Sequence, residues 1–391
     1  MYELKKSKKS LNAEPWVIPL DTRIQILRKY IKSESKINLY LYEHPDTSTF
    51  RYRCYNTMRL TENESKWKCM YFYENELKTV ENFLSSINLL TLSRFRWSRE
   101  LDRIINKAKN NDIMILFDVD DMVFDLDKIS VILNLLDVDE THEDYDYWFS
   151  YVGRLYKAAQ LADGFITTNS YLGEMLYSKF GRKYGIIPNT LNKEQLEISD
   201  DYRKQKLHKK STSTFTIGYF SGTPSHVNDF RVVYKELVQL LYNYNDIQLM
   251  VVGFMKFPEE MKHLLDVGKI KFIPLVDFLT LQYLTAQVDV SIVPLVENVF
   301  TNCKSEIKYF EAAIVGTPTV ATPIHSYKNA INHGENGFLC REGYWYETIK
   351  NIYLNKYDIK KIQQNAYNDS IKRYYGQSII DGINNCYDSF E

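Results

Sequence analysis

The chain has 391 residues, which is more than one hydrophobic core usually supports, so two domains of ordinary size are expected. Its 45% apolar and 25% charged residues exclude disordered and fibrous classes, and its net charge of −1 gives no basic excess that would indicate a nucleic-acid partner. Five widely spaced cysteines without a C-x-x-C pair predict neither a disulfide framework nor a zinc site.

The first 35 residues precede any strand pattern, and we expect them to form an N-terminal extension. Charged residues occupy the start of the chain, where a secretory signal would need an apolar run, and no apolar stretch approaches about 18 residues. We therefore expect a cytoplasmic protein. The lysines at positions 5, 6, 8 and 9 would allow peripheral contact with anionic lipid at the inner face of the membrane, and an ordinary disordered tail is the alternative.

From residue 36 onward, short apolar runs alternate with longer amphipathic ones, a pattern typical of βαβ units and of a parallel sheet covered on both faces. Over residues 36–200 this pattern predicts an N-terminal Rossmann-like domain. Its predicted strands are 37–42, 68–73, 88–92, 113–117, 164–168 and 184–187, and its clearest predicted helices are 97–109 and 146–162.

A polar stretch over 201–213 has almost no apolar pattern and is expected to be an interdomain linker. Residues 214–370 repeat the alternation and predict a second Rossmann-like domain. Its predicted strands are 215–220, 247–252, 270–274, 290–294, 319–321 and 337–339, and its predicted helices are 229–242, 259–265, 279–286 and 304–315. The last residues, 371–391, predict a helix that packs back on the N-terminal domain.

The whole pattern predicts an α/β fold class with two Rossmann-like, doubly wound domains that face a cleft. Ligands of such folds bind beyond the carboxyl ends of the strands, so functional residues are expected at strand ends. A dinucleotide dehydrogenase is disfavoured, because no G-x-G-x-x-G motif follows any predicted strand.

A charged helix start, a Gly-Thr-Pro stop and a short β-branched strand occupy residues 302–323. At about 100° per residue, Lys304 and Glu311 lie roughly 20° short of two full turns apart, so a cation and a carboxylate would share one helix face. That arrangement suits a nucleoside diphosphate, with Glu311 on the ribose and Lys304 and the helix N-terminus on the phosphates. An ordinary solvated helix face is the alternative.

The ordered combination of K-S-E-I-K-Y-F-E-A-A at 304–313, G-T-P-T-V-A-T-P at 316–323 and G-E-N-G-F-L at 334–339 resembles the donor-binding end of glycosyltransferase family 4. The segments at 217–224 and 187–190 are similar to that family's first donor-domain strand and its hinge-side Pro-Asn. The resemblance implies the GT-B fold, with an acceptor-side domain at 36–200 and a nucleotide-sugar-binding domain at 214–370. It also implies a retaining, metal-independent, hexosyltransferase-like enzyme without a cofactor. Its donor would be a UDP-, GDP- or dTDP-sugar, and its acceptor a cell-surface glycan, lipid-linked or protein-linked, in polysaccharide biosynthesis.

By position, Glu311 matches the second glutamate of the family's E-x7-E motif, which is implied to hold the ribose. The first glutamate, implied to contact the transferred sugar, is replaced here by Cys303, so the sugar that is transferred is left open. A transferase of this kind must place positive charge on the departing β-phosphate, and backbone near a glycine turn approaches phosphate closely. The predicted donor site therefore has Lys304 as a catalytic residue and these binding residues: Gly222, Thr223, Cys303, Ser305 and Glu311.

On the N-terminal side, Asp120 and Asp121 follow a predicted strand, and we expect them to face the cleft as catalytic or acceptor-side carboxylates. Helix-capping aspartates in a polar loop are the alternative. Arg51, Arg53 and His44 follow the first strand and are expected on the acceptor side, with plain surface charge as the alternative for the two arginines.

Three other functions, and a second interpretation of one aromatic segment, are weighed against this prediction. The D-V-D-D sequence at 118–121 is also compatible with a metal-binding Asp-x-Asp of GT-A transferases or with the nucleophile of a haloacid-dehalogenase phosphatase, Asp118. The loss of the first glutamate is compatible with a non-catalytic nucleotide- or glycan-binding partner of another transferase. The aromatic residues at 145–151 are compatible with core packing or with a protein or acceptor contact.

Overall fold

Two parallel sheets of six strands each organise the molecule. The computed structural model describes residues 17–44, 48–63, 66–136, 141–208, 214–222 and 227–391. The strands are β1 (Lys36–Tyr42), β2 (Trp67–Tyr73), β3 (Leu89–Ser93), β4 (Met114–Val119), β5 (Gly164–Thr167), β6 (Tyr184–Ile186), β7 (Phe215–Ser221), β8 (Ile247–Gly253), β9 (Ile270–Ile273), β10 (Val290–Val293), β11 (Thr319–Ala321) and β12 (Phe338–Leu339). Each lies within two residues of its predicted bounds.

The order of the strands reverses once in each sheet. The first sheet runs β2-β1-β3-β4-β5-β6 and the second β12-β11-β10-β7-β8-β9, with every neighbouring pair parallel. The second order is the 3-2-1-4-5-6 arrangement of a Rossmann domain. The reversals fall between β1 and β3 and between β7 and β10, and crevices at such points are where ligands of open α/β sheets bind.

Helices cover both sheets. In the first half they are α1 (Leu20–Lys32), α2 (Asn56–Thr61), α3 (Leu77–Val80), α4 (Arg99–Lys109), α5 (Ile129–Leu136), α6 (His142–Leu161), α7 (Ser170–Phe180) and α8 (Lys193–His208). In the second half they are α9 (Val227–Phe230), α10 (Tyr234–Asn243), α11 (Glu259–Asp266), α12 (Phe278–Gln287), α13 (Val299–Asn302), α14 (Ile307–Ile314), α15 (His325–Ala330), α16 (Trp345–Tyr353), α17 (Ile359–Tyr374) and α18 (Gln377–Asp388). No helix within the described ranges is both long enough and apolar enough to cross a membrane.

Helix α8 occupies much of the stretch that the sequence predicts as a linker over 201–213. Its buried side chains are polar: Gln195 and Ser199 are enclosed, and the Ser199 hydroxyl donates to Gln282 of α12 at 3.0 Å. A helix is predicted from apolar residues that recur every three to four positions. The buried face of α8 is polar, so this helix was not predicted. Helical structure as far as His208 corrects the expectation of a linker there, and residues 209–213 lie outside the described ranges.

The helix predicted over 304–315 begins later than expected, at Ile307. The Asn298 side chain caps the separate short helix α13 by accepting from the Thr301 amide at 2.8 Å, and the Lys304 amide then donates to the Thr301 carbonyl at 3.0 Å. The chain therefore turns after Lys304 before α14 starts. This corrects the prediction that Lys304 lies on the same helix as the residues after it.

The chain passes between the two halves twice, and the two crossings lie side by side. The first crossing follows β6, and the second follows α17, after which α18 packs on the first sheet. The Leu191 amide of the first crossing donates to the Tyr374 carbonyl of the second at 2.9 Å. Helix α18 is held by a 2.8 Å hydrogen bond between the hydroxyls of Tyr387 and Tyr40 of β1.

Candidate active site

A cavity of about 770 Å³ lies between the carboxyl ends of the two sheets. The N-terminal half contributes residues that follow β1, β3 and β4 together with part of α6, and the C-terminal half contributes residues that follow β7, β8 and β10 together with the start of α14. Both strand-order reversals open into it. The sequence-predicted residues that line this cleft are His44, Arg51, Asp120, Asp121, Gly222, Lys304, Ser305 and Glu311.

The cationic wall of the cleft is built by the turn before α14 and by its first residues. Lys304 lies on the turn, with its ammonium 4.9 Å from the centroid of the Phe300 ring and 3.8 Å from an oxygen of Asp121 across the cleft. Lys308 lies one turn further on, with its ammonium 5.8 Å from the Tyr219 ring centroid. Two cations thus face the same space within four residues of each other, which favours binding of an anionic ligand.

Lys308 was not selected from the sequence. Burial lowers the pKa of its ammonium to about 8, although the carboxylates of Asp229 and Glu311 oppose the shift. No salt bridge in the described part of the chain includes this lysine, so its charge is compensated less completely than that of other buried cations here. Its position, four residues after Lys304 and three before Glu311, could have identified it once a helix face was assumed.

Glu311 is one of the residues through which the two halves contact each other across the cleft. Its side chain belongs to α14, is 9% exposed, and accepts through Oε1 from the Tyr52 hydroxyl and from Arg51 Nη2 at 3.4 Å. The Arg51 guanidinium lies 4.1 Å from the ring centroids of both Tyr52 and Phe278, which fixes its plane. Both hydrogen bonds reach Oε1, and no described residue donates to Oε2, so the second oxygen of this cavity-lining residue keeps its capacity to accept from a ligand.

Arg51 and Arg53 belong to a buried π-helical turn, Arg51–Tyr55, which rules out plain surface charge for both. Arg53 does not line the cleft, which corrects its placement on the acceptor side. Its guanidinium donates to both oxygens of Asp118, which is 0% exposed, with distances of 2.7 to 3.1 Å. Because Asp118 is enclosed and paired, it cannot attack a substrate in the cleft, and the phosphatase interpretation fails.

The buried ion pair is connected to the cationic wall through the Pro-Asn segment. Arg53 Nη1 donates to the side-chain oxygen of Asn189 at 3.2 Å, and Asn189 Nδ2 donates to the Ser305 hydroxyl at 2.9 Å. A continuous network thus runs from Asp118 at the end of β4 to Ser305 beside Lys304. This network holds the turn before α14 in register with the first sheet.

Asp120 and Asp121 form the anionic wall of the cleft. Asp120 accepts from the Thr49 hydroxyl at 3.1 Å and from Arg94 Nη1 at 3.2 Å. Asp121 lies 3.6 Å from Arg94 and 3.8 Å from Lys304, and burial raises its pKa against the pull of Lys304. Both carboxylates are engaged in ion pairs, so neither is a simple helix cap.

Arg94 is a second cleft residue that the sequence analysis missed. It follows β3 at the reversal in the first sheet, and its backbone has a φ of +43°, an uncommon value for a residue other than glycine. Such strain persists where the surrounding contacts hold the residue in place, and here those contacts are the paired aspartates. The rule that identified Asp120, a polar residue directly after a buried strand, would also have identified Arg94.

The glycine turn after β7 is only partly described. Gly222 lines the cleft, and a Cβ built on it would meet no described residue within 4 Å. Thr223 lies outside the described residues. Gly253, missed from the sequence, is required sterically: its φ is +102°, and a Cβ there would fall 1.8 Å from the Ser221 carbonyl oxygen.

Cys303 does not line the cleft, which corrects its assignment as a donor contact. Its sulfur is buried 3.4 Å from the sulfur of Met175 on α7 and donates to the Val299 carbonyl at 3.3 Å. Burial raises the pKa of this thiol, so it stays protonated. Nearby Glu306 does not replace the missing carboxylate, because the Tyr374 hydroxyl donates to it at 2.6 Å away from the cleft.

No cluster of three or more histidine, cysteine, aspartate or glutamate side chains within the described ranges is arranged to hold a metal ion. The Asp-x-Asp pair expected of a metal site consists here of Asp118, bound to Arg53, and Asp120, bound to Arg94. These carboxylates are thus occupied by cations of the protein.

Comparisons with known proteins found a family model that matches part of the chain and several solved structures of similar fold. A family model described as "Glycosyl transferases group 1" matches residues 214–353. No curated protein matches the sequence.

Solved structures with similar folds cover both halves of the chain. They include HepE from Anabaena in complex with UDP and glucose, at 14% identity and a TM-score of 0.61, covering 90% of this chain and 100% of that chain. A glycosyltransferase from Rickettsia africae matches at 13% identity and a TM-score of 0.60, covering 91% and 98%. A sucrose-phosphate synthase from Thermosynechococcus elongatus matches at 14% identity and a TM-score of 0.58, covering 91% and 99%. These likenesses confirm the predicted fold, two Rossmann-like domains in the GT-B arrangement.

Proposed function

We propose that this protein is a retaining, metal-independent glycosyltransferase that moves a sugar from a nucleoside-diphosphate sugar to a hydroxyl of a glycan acceptor. The observation that carries the proposal is the meeting of Lys304, Lys308 and Glu311 at the strand-order reversal of the second sheet. The group 1 family match over 214–353 covers the same elements, and the HepE structure holds UDP and glucose. The proposal extends to a cytoplasmic enzyme, peripheral at the inner face of the membrane, where the lysines at positions 5, 6, 8 and 9 would contact anionic lipid.

The donor would lie against the cationic wall. Glu311 Oε2 is placed to accept from the ribose hydroxyls, while Tyr52 and Arg51 hold the carboxylate from the other half. Lys304 and Lys308 would neutralise the diphosphate, and Ser305 and the backbone near Gly222 would complete its contacts. Arg51 and Tyr52 are positioning residues in this scheme, because they act on the donor through Glu311.

Transfer requires stabilisation of the departing diphosphate. As the bond between the anomeric carbon and the phosphate oxygen breaks, a bond from the acceptor oxygen forms on the same face of the sugar. The acceptor proton passes to the diphosphate oxygen. Lys304 supplies charge to that oxygen, an interaction that strengthens as negative charge develops there. Asp120 and Asp121, fixed by Arg94, would orient the acceptor hydroxyl from the opposite wall.

A nucleotide thermal-shift panel tests this proposal, because a ligand that binds only the folded state raises its melting temperature. UDP, GDP, dTDP and their glucose conjugates are compared with and without Mg²⁺ and with EDTA. We expect at least one diphosphate to stabilise the protein equally in EDTA, and that stabilisation to shrink in Glu311→Gln. Glu335→Gln, an exposed glutamate outside the cleft, is the control. No shift with any nucleotide would refute the donor site.

A non-catalytic nucleotide-binding partner is the second candidate, and Cys303 favours it. In the described part of the chain, the C-terminal wall of the cleft carries one carboxylate, Glu311, and none at the position of the missing family glutamate. Release of nucleoside diphosphate from the stabilising donor, with or without acceptor, separates the candidates. Turnover supports the enzyme, and tight binding without turnover supports the partner.

A further inference from the structure

We propose that the first turns of α6 form an acceptor platform that stacks a neutral oligosaccharide and leads it into the cleft. The platform consists of Tyr147, Trp148 and Tyr151, all of which line the cavity. Tyr147 is 61% exposed, so core packing does not explain it. The inference rests on the proposed function, since it names the acceptor class of the same cleft.

The rings of the platform are mutually ordered. Tyr147 and Tyr151, one helical turn apart, are stacked with ring centroids 6.5 Å apart and an interplanar angle of 24°. Trp148 contacts both edge-on, with centroids 5.8 Å from Tyr147 and 5.4 Å from Tyr151. Two nearly parallel aromatic faces beside a third ring form a surface on which the apolar face of a pyranose can stack.

One ring of the platform, Tyr151, is held by an ion pair that follows two strands of the first sheet. The Arg96 guanidinium lies 5.2 Å from the Tyr151 ring centroid, and its Nε donates to Glu43 at 2.6 Å. Arg96 follows β3 and Glu43 follows β1, so the platform is anchored at the strand-order reversal of the first sheet. A site fixed before binding loses less conformational entropy when it binds its ligand.

The aromatic surface continues outside the cleft, which indicates more than one sugar unit. Tyr145 and Phe149 form another stacked pair, with centroids 6.4 Å apart, an interplanar angle of 24° and exposures of 38% and 49%. At about 100° per residue, the five rings of α6 follow one another around roughly 200° of the helix. An elongated ligand whose reacting end lies in the cleft would therefore contact further rings along its length.

The charges that α6 carries around the platform favour a neutral ligand, because the neighbouring Arg96 is already paired with Glu43. Glu143, Asp144 and Asp146 lie in the same two turns of α6, and no lysine or arginine lies between Thr141 and Gly153. These carboxylates would repel an anionic glycan or an anionic membrane surface and can accept hydrogen bonds from sugar hydroxyls. The observations thus favour a neutral oligosaccharide over a charged one.

Saturation-transfer NMR on the full chain tests the platform. The probes are glucose, the neutral trisaccharides maltotriose, cellotriose and triacetylchitotriose, and the anionic tri-galacturonic acid. We expect at least one neutral trisaccharide to bind at least tenfold more tightly than glucose, and tri-galacturonic acid not to bind. Tyr147→Ala should weaken trisaccharide binding by at least tenfold, and Tyr147→Phe, which keeps the ring, should restore it.

Tyr242→Ala, which removes an exposed tyrosine of α10 outside the cleft, is the matched control and should bind like the parent protein. Nucleotide stabilisation is measured on the same samples. If a nucleoside diphosphate binds but no neutral trisaccharide does, or if Tyr147→Ala binds it normally, the platform is refuted and the donor site stands. Preferential binding of tri-galacturonic acid also refutes it. If no nucleotide binds, the proposed function itself has failed.

Discussion

The two walls of the cleft differ in how their charges are compensated. In the N-terminal half, Arg53, Arg94 and Arg96 each pair with a carboxylate of the same half. Arg51 of this half pairs with Glu311 across the cleft. In the C-terminal half, the described ion pair of Lys304 reaches across the cleft to Asp121, and no described salt bridge includes Lys308. The N-terminal wall is therefore a pre-paired scaffold, whereas the C-terminal wall keeps positive potential for an anion. In the proposed function, the C-terminal wall would therefore receive the diphosphate and the N-terminal wall would orient the acceptor.

The largest expected effect tests the scaffold. Arg53→Ala leaves Asp118 buried and unpaired, so the free energy of unfolding should fall by about 3–5 kcal/mol in chemical denaturation. Arg103→Ala, which removes an exposed arginine paired with Glu81, should cost less than about 1 kcal/mol. Equal losses in the two variants would show that the Arg53 pair does not organise the N-terminal wall.

Lys304→Ala tests the cationic wall through a loss of turnover rather than a loss of stability. Turnover should fall by about 10²–10³-fold, because the lost charge acts on the departing diphosphate, while stability changes little. Initial rates of diphosphate release and a denaturation curve on the same preparation measure both. Lys361→Ala, an exposed lysine of α17, should keep the parent rate. A stability loss that accounts for the lost rate would contradict the role of Lys304.

Glu311→Gln tests the contact between the walls. Replacing a charged acceptor by a neutral one should weaken donor binding by roughly 10–100-fold, the usual range for hydrogen bonds to charged groups. Tyr52→Phe, which removes one donor to Oε1 and keeps the carboxylate, should weaken it less. Calorimetric titration with the stabilising nucleotide measures both. A larger loss of affinity in Tyr52→Phe would contradict Glu311 as the direct contact and Tyr52 as the residue that positions it.

The smallest expected effect is a pH dependence carried by Lys308. Its folded pKa of about 8 means that the ammonium is charged below pH 8 and loses its proton above it. The kcat/KM for the donor should therefore fall as pH rises through 8, by about tenfold if the charge contributes about 1.4 kcal/mol to donor binding. Lys308→Arg stays charged and should move this decline to higher pH. An unchanged profile in Lys308→Arg would assign the decline to another group.

The fold could be predicted because its strands are short apolar runs between amphipathic segments, and all twelve appear near their predicted bounds. Prediction from the sequence was wrong where polar or charged side chains are buried. Ser199 and Gln195 are polar yet enclosed, so α8 had no apolar period to detect. Arg53 is charged yet enclosed. No local pattern could predict this, because its partner Asp118 is 65 residues away in sequence.

Some residues of the candidate site could be predicted from the sequence, and the contacts between them could not. Strand-end reasoning placed Asp120, Asp121 and His44 toward the cleft without any knowledge of contacts, because the carboxyl ends of parallel strands converge. The contact of Arg51 with Glu311 joins residues 260 positions apart, and no local pattern records it. The roles of these residues in binding and transfer stay predictions until the variants are measured.

The paired crossings after β6 and α17 determine how the two halves can move. Two adjacent ribbons of backbone, tied by the bond from Leu191 to Tyr374, permit rotation about the axis on which they lie. Sliding or twisting of one half over the other would strain that bond. We therefore expect the two halves to open about a single axis, which would separate Glu311 from Arg51 and widen the cleft most at the rim remote from the axis.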